Sequence, residues 1–273
     1  MIDNWSWGAA RPRNAARSSS VPRGMIVAAA TLAILALFPA VVFGSPVDTD
    51  GILRELDRQG SFMDTDFSAE YTVVSERPGE DRSITRVRSF RRDAERKMTM
   101  VILEPRIRRG EGYLQIGDTA WSYDPESREF AVFSLRENFG ESDARHSDFA
   151  EMTISANYEV TSVEQGTLGR FDVHILDLSA TNDTMTFPRI RLWVRQDTTV
   201  VLQEQNYSLS DRLMRTVLYP NYARAGDRVF PSKILIIDNL NDGERTEITV
   251  REIGFSRIDD AVFTRGYLER IGR

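Results

Sequence analysis

The chain has 273 residues, no cysteine, and 41 acidic against 35 basic side chains. Without cysteine it forms no disulfide, offers no thiolate to a metal and has no attachment point for the lipid of a lipoprotein. The acidic balance argues against nucleic acid as a partner, and a domain of this length can be held by core burial alone.

The first 24 residues are polar and carry Arg11, Arg13, Arg17 and Arg23, whereas residues 25–44, MIVAAATLAILALFPAVVFG, are almost wholly apolar. A basic start, an apolar core and the Val42-Phe43-Gly44 ending predict a secretory signal peptide over 1–44. An uncleaved anchor is the alternative, because about twenty apolar residues can span a bilayer. Removing the leader takes away four arginines and one aspartate. The domain left, 45–273, then has 31 basic and 40 acidic residues.

After the leader, Ile52, Leu53, Leu56 and Phe62 are spaced as one face of a short amphipathic helix that Gly60 ends. Asp48-Thr49-Asp50-Gly51 fails as a calcium loop, since Pro46 would take the first ligand position, and reads as a helix cap. From Asp66 the period changes to two: Phe67, Ala69, Tyr71 and Val73 share a face. Pro78-Gly79-Glu80-Asp81 turns the chain into a strand near 83–92, and Asp93-Ala94-Glu95 turns it into 96–105. Ile84, Arg86, Arg88 and Phe90 alternate along the first of these; Met98, Met100 and Ile102 share a face of the second. Three short strands follow as a meander: GYLQIG (112–117), TAWSYDP (119–125) and REFAVFSL (128–135), separated by Gly117-Asp118 and Pro125-Glu126-Ser127. The pattern stops at Arg136. From there to Asp148 the chain is polar, with Phe139 and Phe149 as its large apolar residues, and reads as a mobile flap. Further strands fall near 157–165, 170–180, 189–195, 200–208, 212–219 and 230–239. Asn241-Asp242-Gly243 makes a hairpin into 245–256. The whole predicts a mainly β chain of about eleven strands: a single curved antiparallel sheet with an N-terminal helix and a helical or loop lid.

One clear helix cannot cover so much sheet. Either the sheet closes on its own side chains or it leaves an apolar cavity. The residues expected to face inward are Tyr71, Phe90, Met98, Met100, Ile102, Leu114, Ile116, Trp121 and Tyr123. Each can be plain core; as a set, methionines and aromatics also suit a flexible acyl chain. Catalytic signals are weak. Ser142, Asp143, His146 and Asp148 lie close in sequence, but no G-x-S-x-G elbow accompanies them, and neither His146 nor His174 has metal-ligand spacing. No enzyme activity, metal or cofactor is expected.

The run G-Y-L-Q-I-G-D-x-x-W-x-Y-D-P, then Phe133-Ser134-Leu135-Arg136, then S-D-x-x-x-S-D-F at 142–149, resembles the outer-membrane lipoprotein-sorting proteins, the LolA-like group of periplasmic carriers. RIRLWVRQDT (189–198), FPSKILIIDN (230–239) and DAVFTRGYLER (260–270) extend the likeness over roughly 50–270. The W-x-Y-D-P meander is closer to the larger, less characterised branch of that group. The resemblance implies a half-barrel that holds a lipid or the acyl chains of a lipoprotein under a lid. It implies periplasmic localisation and passage from an inner-membrane transporter, of the ABC or resistance-nodulation-division type, to an outer-membrane acceptor. It also implies a basic residue on an early strand, here Arg86 or Arg88, latching a lid that carries Phe139 and Phe149; the alternative for the arginines of 82–97 is a solvated outer face. A lipid or lipoprotein sensor, or an accessory subunit of an inner-membrane export pump, is the alternative function.

Overall fold

The computed structural model describes residues 47–151, 153–225 and 228–272. The expected signal peptide over 1–44 lies outside the described residues. Asp48 accepts a hydrogen bond from the Gly51 amide at 2.8 Å and caps helix α1 (Thr49–Gly60), as the cap reading requires. A single antiparallel sheet follows, of thirteen strands rather than about eleven. Its first six are β1 (Phe67–Glu76), β2 (Ser83–Arg92), β3 (Lys97–Glu104), β4 (Gly112–Ile116), β5 (Thr119–Asp124) and β6 (Glu129–Phe133). After the short helix α2 (Ile154–Asn157) come β7 (Tyr158–Leu168), β8 (Phe171–Ala180), β9 (Arg189–Arg195) and β10 (Val201–Tyr207). The last three are β11 (Leu213–Ala225), β12 (Arg228–Asp238) and β13 (Arg245–Gly254), and helix α3 (Arg265–Ile271) ends the chain's described part.

The strand order is β6-β5-β4-β3-β2-β1-β13-β12-β11-β10-β9-β8-β7. Two meanders therefore meet at β1 and β13, and β6 and β7 are opposite edges of one sheet that is not closed into a barrel. This order decides the fate of residues 134–157, which join the two edges. Laid flat, thirteen strands would be roughly 58 Å wide. The link must cross one face of a curved sheet, and it does so on the inner face.

Register defines the two faces. Tyr71 pairs with Val87, Val87 with Ile102, and Met100 with Tyr113; paired residues share a face. Continuing through β13 to β11, the same face carries Val250, Ile248, Ile236 and Val217. One inner-face core joins these to Phe62, Phe67, Phe139 and Phe149. A second packs Leu53 and Leu56 of α1 and Ile154 of α2 on Leu176, Leu178, Ile190 and Leu192 of β8 and β9. Asp57 ties the two helices together by accepting from the Ile154 and Ser155 amides at 2.6 and 2.9 Å.

The outer face is covered locally by α3. Leu268, fully buried, packs with Val101, Leu114 and Tyr123. Gly112 permits this approach, for a Cβ there would sit 2.5 Å from Leu268 Cδ2. Leu268→Ala is expected to cost about 3 kcal/mol, the usual loss for emptying a well-packed leucine site. A urea titration will show a midpoint shift of that size if α3 is part of the cooperative fold, and almost none if α3 is an independent tail.

Candidate functional site

Between the inner face and the segments that cross it lies a cavity of about 870 Å³. Its apolar wall includes Met98, Ile190, Val217, Ile234, Ile236 and Ile248. A polar stretch of the same wall carries Glu204, Arg215, Tyr219 and, from the crossing segment, Asp148. At the sheet end near the β2–β3 and β4–β5 turns the rim carries charges of both signs: Arg91, Arg96, Lys97, Asp93 and Asp118.

The crossing segment is not the mobile flap its polarity suggests. Phe139 and Phe149 are 1% and 2% exposed, and Phe149 meets Tyr71 edge-on at 5.1 Å between centroids. Three of its residues are tied to the sheet by hydrogen bonds. Asp143 accepts from the Thr246 hydroxyl at 2.9 Å, and its amide donates to the same oxygen at 2.9 Å. Ser75 donates to the Glu141 carbonyl at 3.1 Å. Arg215 of β11 donates from Nη1 and Nη2 to the two Asp148 oxygens, 2.7 Å each. Residues 134–151 form a plug fastened to β1, β11 and β13. Asp143, Asp238 and Glu244 also bring carboxylate oxygens within 4.8 Å of one another, a cluster that chain order hides. Burial, with those two neighbours adding to it, raises the Asp143 pKa.

The nine residues expected to face inward divide between the two faces. Tyr71, Met98, Met100 and Ile102 are together on the inner face, and Met98 lines the cavity. Leu114 pairs with Thr99 and with Trp121, which puts Leu114, Ile116 and Trp121 on the outer face. Tyr123 joins them under α3, while Ile116 is 40% exposed. Phe90 also points outward, where its ring meets Tyr267 of α3 edge-on at 6.2 Å. Those five are corrected: they cannot touch an occupant of the inner cavity.

Arg86 and Arg88 are corrected too. Arg86 binds Glu70 through Nε and Nη2 at 2.9 and 2.6 Å and Glu104 through Nη1 at 2.9 Å. Arg88 binds Glu252. These are outer-face ion pairs, and neither arginine reaches the plug. The inward arginine of β2 is Arg91, 6% exposed, paired with Asp93 and donating to the Gly60 carbonyl at the end of α1 at 3.0 Å. The missed signal was its register with Val87 and Ser89. Arg215, the residue that does hold the plug, gave no sequence signal beyond its place in an alternating strand.

The Ser142, Asp143, His146 grouping is part of the plug's packing. The Ser142 hydroxyl donates to the Phe139 carbonyl at 2.7 Å. His146 is 3% exposed among Tyr113, Phe133 and Phe139, and its Nδ1 has no hydrogen-bond partner. Burial, reinforced by Arg108 and opposed by Asp148, pushes its pKa down from 6.5 to about 4. The unfolded ring takes a proton that the folded ring refuses, so stability is full above pH 6.5 and is lost as pH falls toward 4. Over that window wild type is expected to lose about 3 kcal/mol more than His146→Leu. Urea titrations of both chains at pH 7, 5.5 and 4 measure the difference; parallel profiles would mean that the ring is not held neutral.

Among the described residues, no helix is long and apolar enough to cross a membrane. A family model described as that of an uncharacterized protein matches residues 94–270. No curated protein matches the chain. Among solved structures, the fold is similar to a LolA superfamily protein from Nitrosomonas europaea, at 22% identity and a TM-score of 0.72, over 81% of this chain and 100% of that one. It is similar to an outer membrane lipoprotein-sorting protein domain from Vibrio parahaemolyticus, at 18% identity and a TM-score of 0.70, over 81% and 98%. A DUF1329 family protein from Desulfovibrio piger matches at 18% identity and a TM-score of 0.70, over 80% and 97%. At these identities the likeness is one of fold, and the fold is LolA-like.

Proposed function

We propose, from the premise that the chain belongs to the uncharacterized protein family matched over 94–270 and has the LolA-like fold, that it carries an acyl chain in its inner cavity. The observation that carries this reading is the cavity itself: about 870 Å³, walled by Val217, Ile234, Ile236 and Ile248 and bounded by a plug that side chains fasten. A pocket of this size and lining suits one drug- or lipid-sized apolar ligand. Burying about ten methylenes would contribute about 8 kcal/mol before the cost of association, which is micromolar binding at most. Such affinity lets cargo be both held and released.

In this reading residues 1–44 direct export, and the domain 45–273 works in the periplasm. It accepts a lipid or acylated lipoprotein from an inner-membrane transporter and yields it to an outer-membrane acceptor. That one fold relative is described as a lipoprotein-sorting domain favours the same direction. Native mass spectrometry of the mature protein from its own envelope, followed by organic extraction, tests it. A bound acylated species that is missing from Ile236→Glu is the expected result. An empty protein that takes up no added palmitate or phospholipid would overturn the reading.

A further inference from the structure

Apart from the charged rim, the cavity wall carries a polar stretch around Arg215 beside Val217 and Ile236, and that stretch points to the ligand's head. The inference rests on the acyl-binding reading above. Arg215 is 7% exposed, with its guanidinium 4.7 Å from the centre of the Phe187 ring. Its Nε donates to Asn206 Oδ1 at 2.7 Å, and its two Nη groups fork onto Asp148. Asp148 is the carboxylate in direct contact with it. The nearest other candidate, Glu204, is held by Asn206 Nδ2 at 2.5 Å and by the Tyr219 hydroxyl at 3.0 Å. The carboxylate that contacts Arg215 thus sits on the crossing segment, while the arginine and Glu204, which adds to its charge balance without contacting it, sit on the sheet.

Both partners line the cavity. Val217 is the next residue of β11 on the same face, paired with Ile236, and Ile248 lies on the adjoining strand pair. A chain lying along Val217, Ile236 and Ile248 brings its end to the Arg215 fork. A neutral head that displaces Asp148 leaves the buried guanidinium with only the non-contacting Glu204 as counter-charge, which is unfavourable. A head with two anionic oxygens replaces Asp148 like for like, because the planar guanidinium fork matches carboxylate and phosphate alike.

The geometry points to an anionic amphiphile as the ligand: an acyl chain ending in a carboxylate or a phosphate, with Arg215 binding the oxyanion and Asp148 occupying the fork when the cavity is empty. Amphiphiles with uncharged heads are discriminated against.

Calorimetric titration of the mature chain with palmitate, 1-palmitoyl lysophosphatidate and monopalmitoylglycerol at pH 8 tests this. At least one anion is expected to bind ten-fold or more tightly than the glyceride of equal chain length. Preference for palmitate assigns a carboxylate head; preference for lysophosphatidate assigns a phosphate. Asp148→Asn, which removes the competing charge but keeps a hydrogen bond, is expected to tighten anion binding several-fold and leave the glyceride unchanged. A misfolded variant cannot produce that gain. Arg215→Gln is expected to erase the preference. Equal binding of all three ligands overturns the assignment and leaves acyl binding standing, whereas binding of none overturns both.

Discussion

Arg215→Met is expected to lower the unfolding free energy by about 2–3 kcal/mol, between the losses for exposed and for fully buried pairs, because Arg215 is buried while Asp148 is partly open to solvent. The substitution leaves Asp148 with the Arg145 amide alone, leaves Asn206 Oδ1 without its donor and frees the plug from β11. Removing both charges is a different matter. Arg215→Met with Asp148→Leu removes both members of the pair and leaves Glu204 held by Asn206 and Tyr219, and the double variant is expected to regain part of the loss, since apolar replacement of an ion pair is often neutral or better. Denaturant titration of the two variants gives the comparison. If the single variant loses under about 1 kcal/mol, within the range of exposed pairs, the pair does not hold the plug.

Phe149→Ala carries the second large effect, about 3–5 kcal/mol, as for other fully buried phenylalanines. The ring is enclosed by Tyr71 from β1 and by Phe139, whose centroid is 5.0 Å away. A flap that lay loosely over the sheet would lose almost nothing on truncation, because surface substitutions usually stay within about 0.5 kcal/mol. Denaturant titration therefore separates a structural plug from a mobile cover. Binding adds a second readout: with the plug loosened, acyl ligands are expected to enter and leave faster.

Alternation and turn chemistry carried most of the strand boundaries, and the cap at Asp48 was legible from four residues. The faces were harder. On β2 both candidate faces carry arginine, and Phe90 made Ile84, Arg86 and Arg88 look like the inner set. Phe90 is turned outward by Tyr267, on a helix whose sequence, RGYLERI, is too short to announce itself. The same helix makes the outer face of β4 and β5 apolar, so Leu114, Trp121 and Tyr123 satisfied an apolar criterion for the wrong side. The plug misled for a related reason. Its charges and hydroxyls suggest solvent, yet they are met by Arg215 and Thr246, 67 and 103 residues away from Asp148 and Asp143. Local sequence cannot report a partner that far along the chain.

Photo-crosslinking with a palmitate bearing a diazirine at its chain end shows where the acyl chain lies. Labelling is expected on inner-face positions of β11, β12 and β13, at Val217, Ile234, Ile236 or Ile248, with suppression by excess unlabelled palmitate. Labelling concentrated at Leu114, Trp121 and Tyr123, on the face under α3, would rule out an acyl chain in the inner cavity.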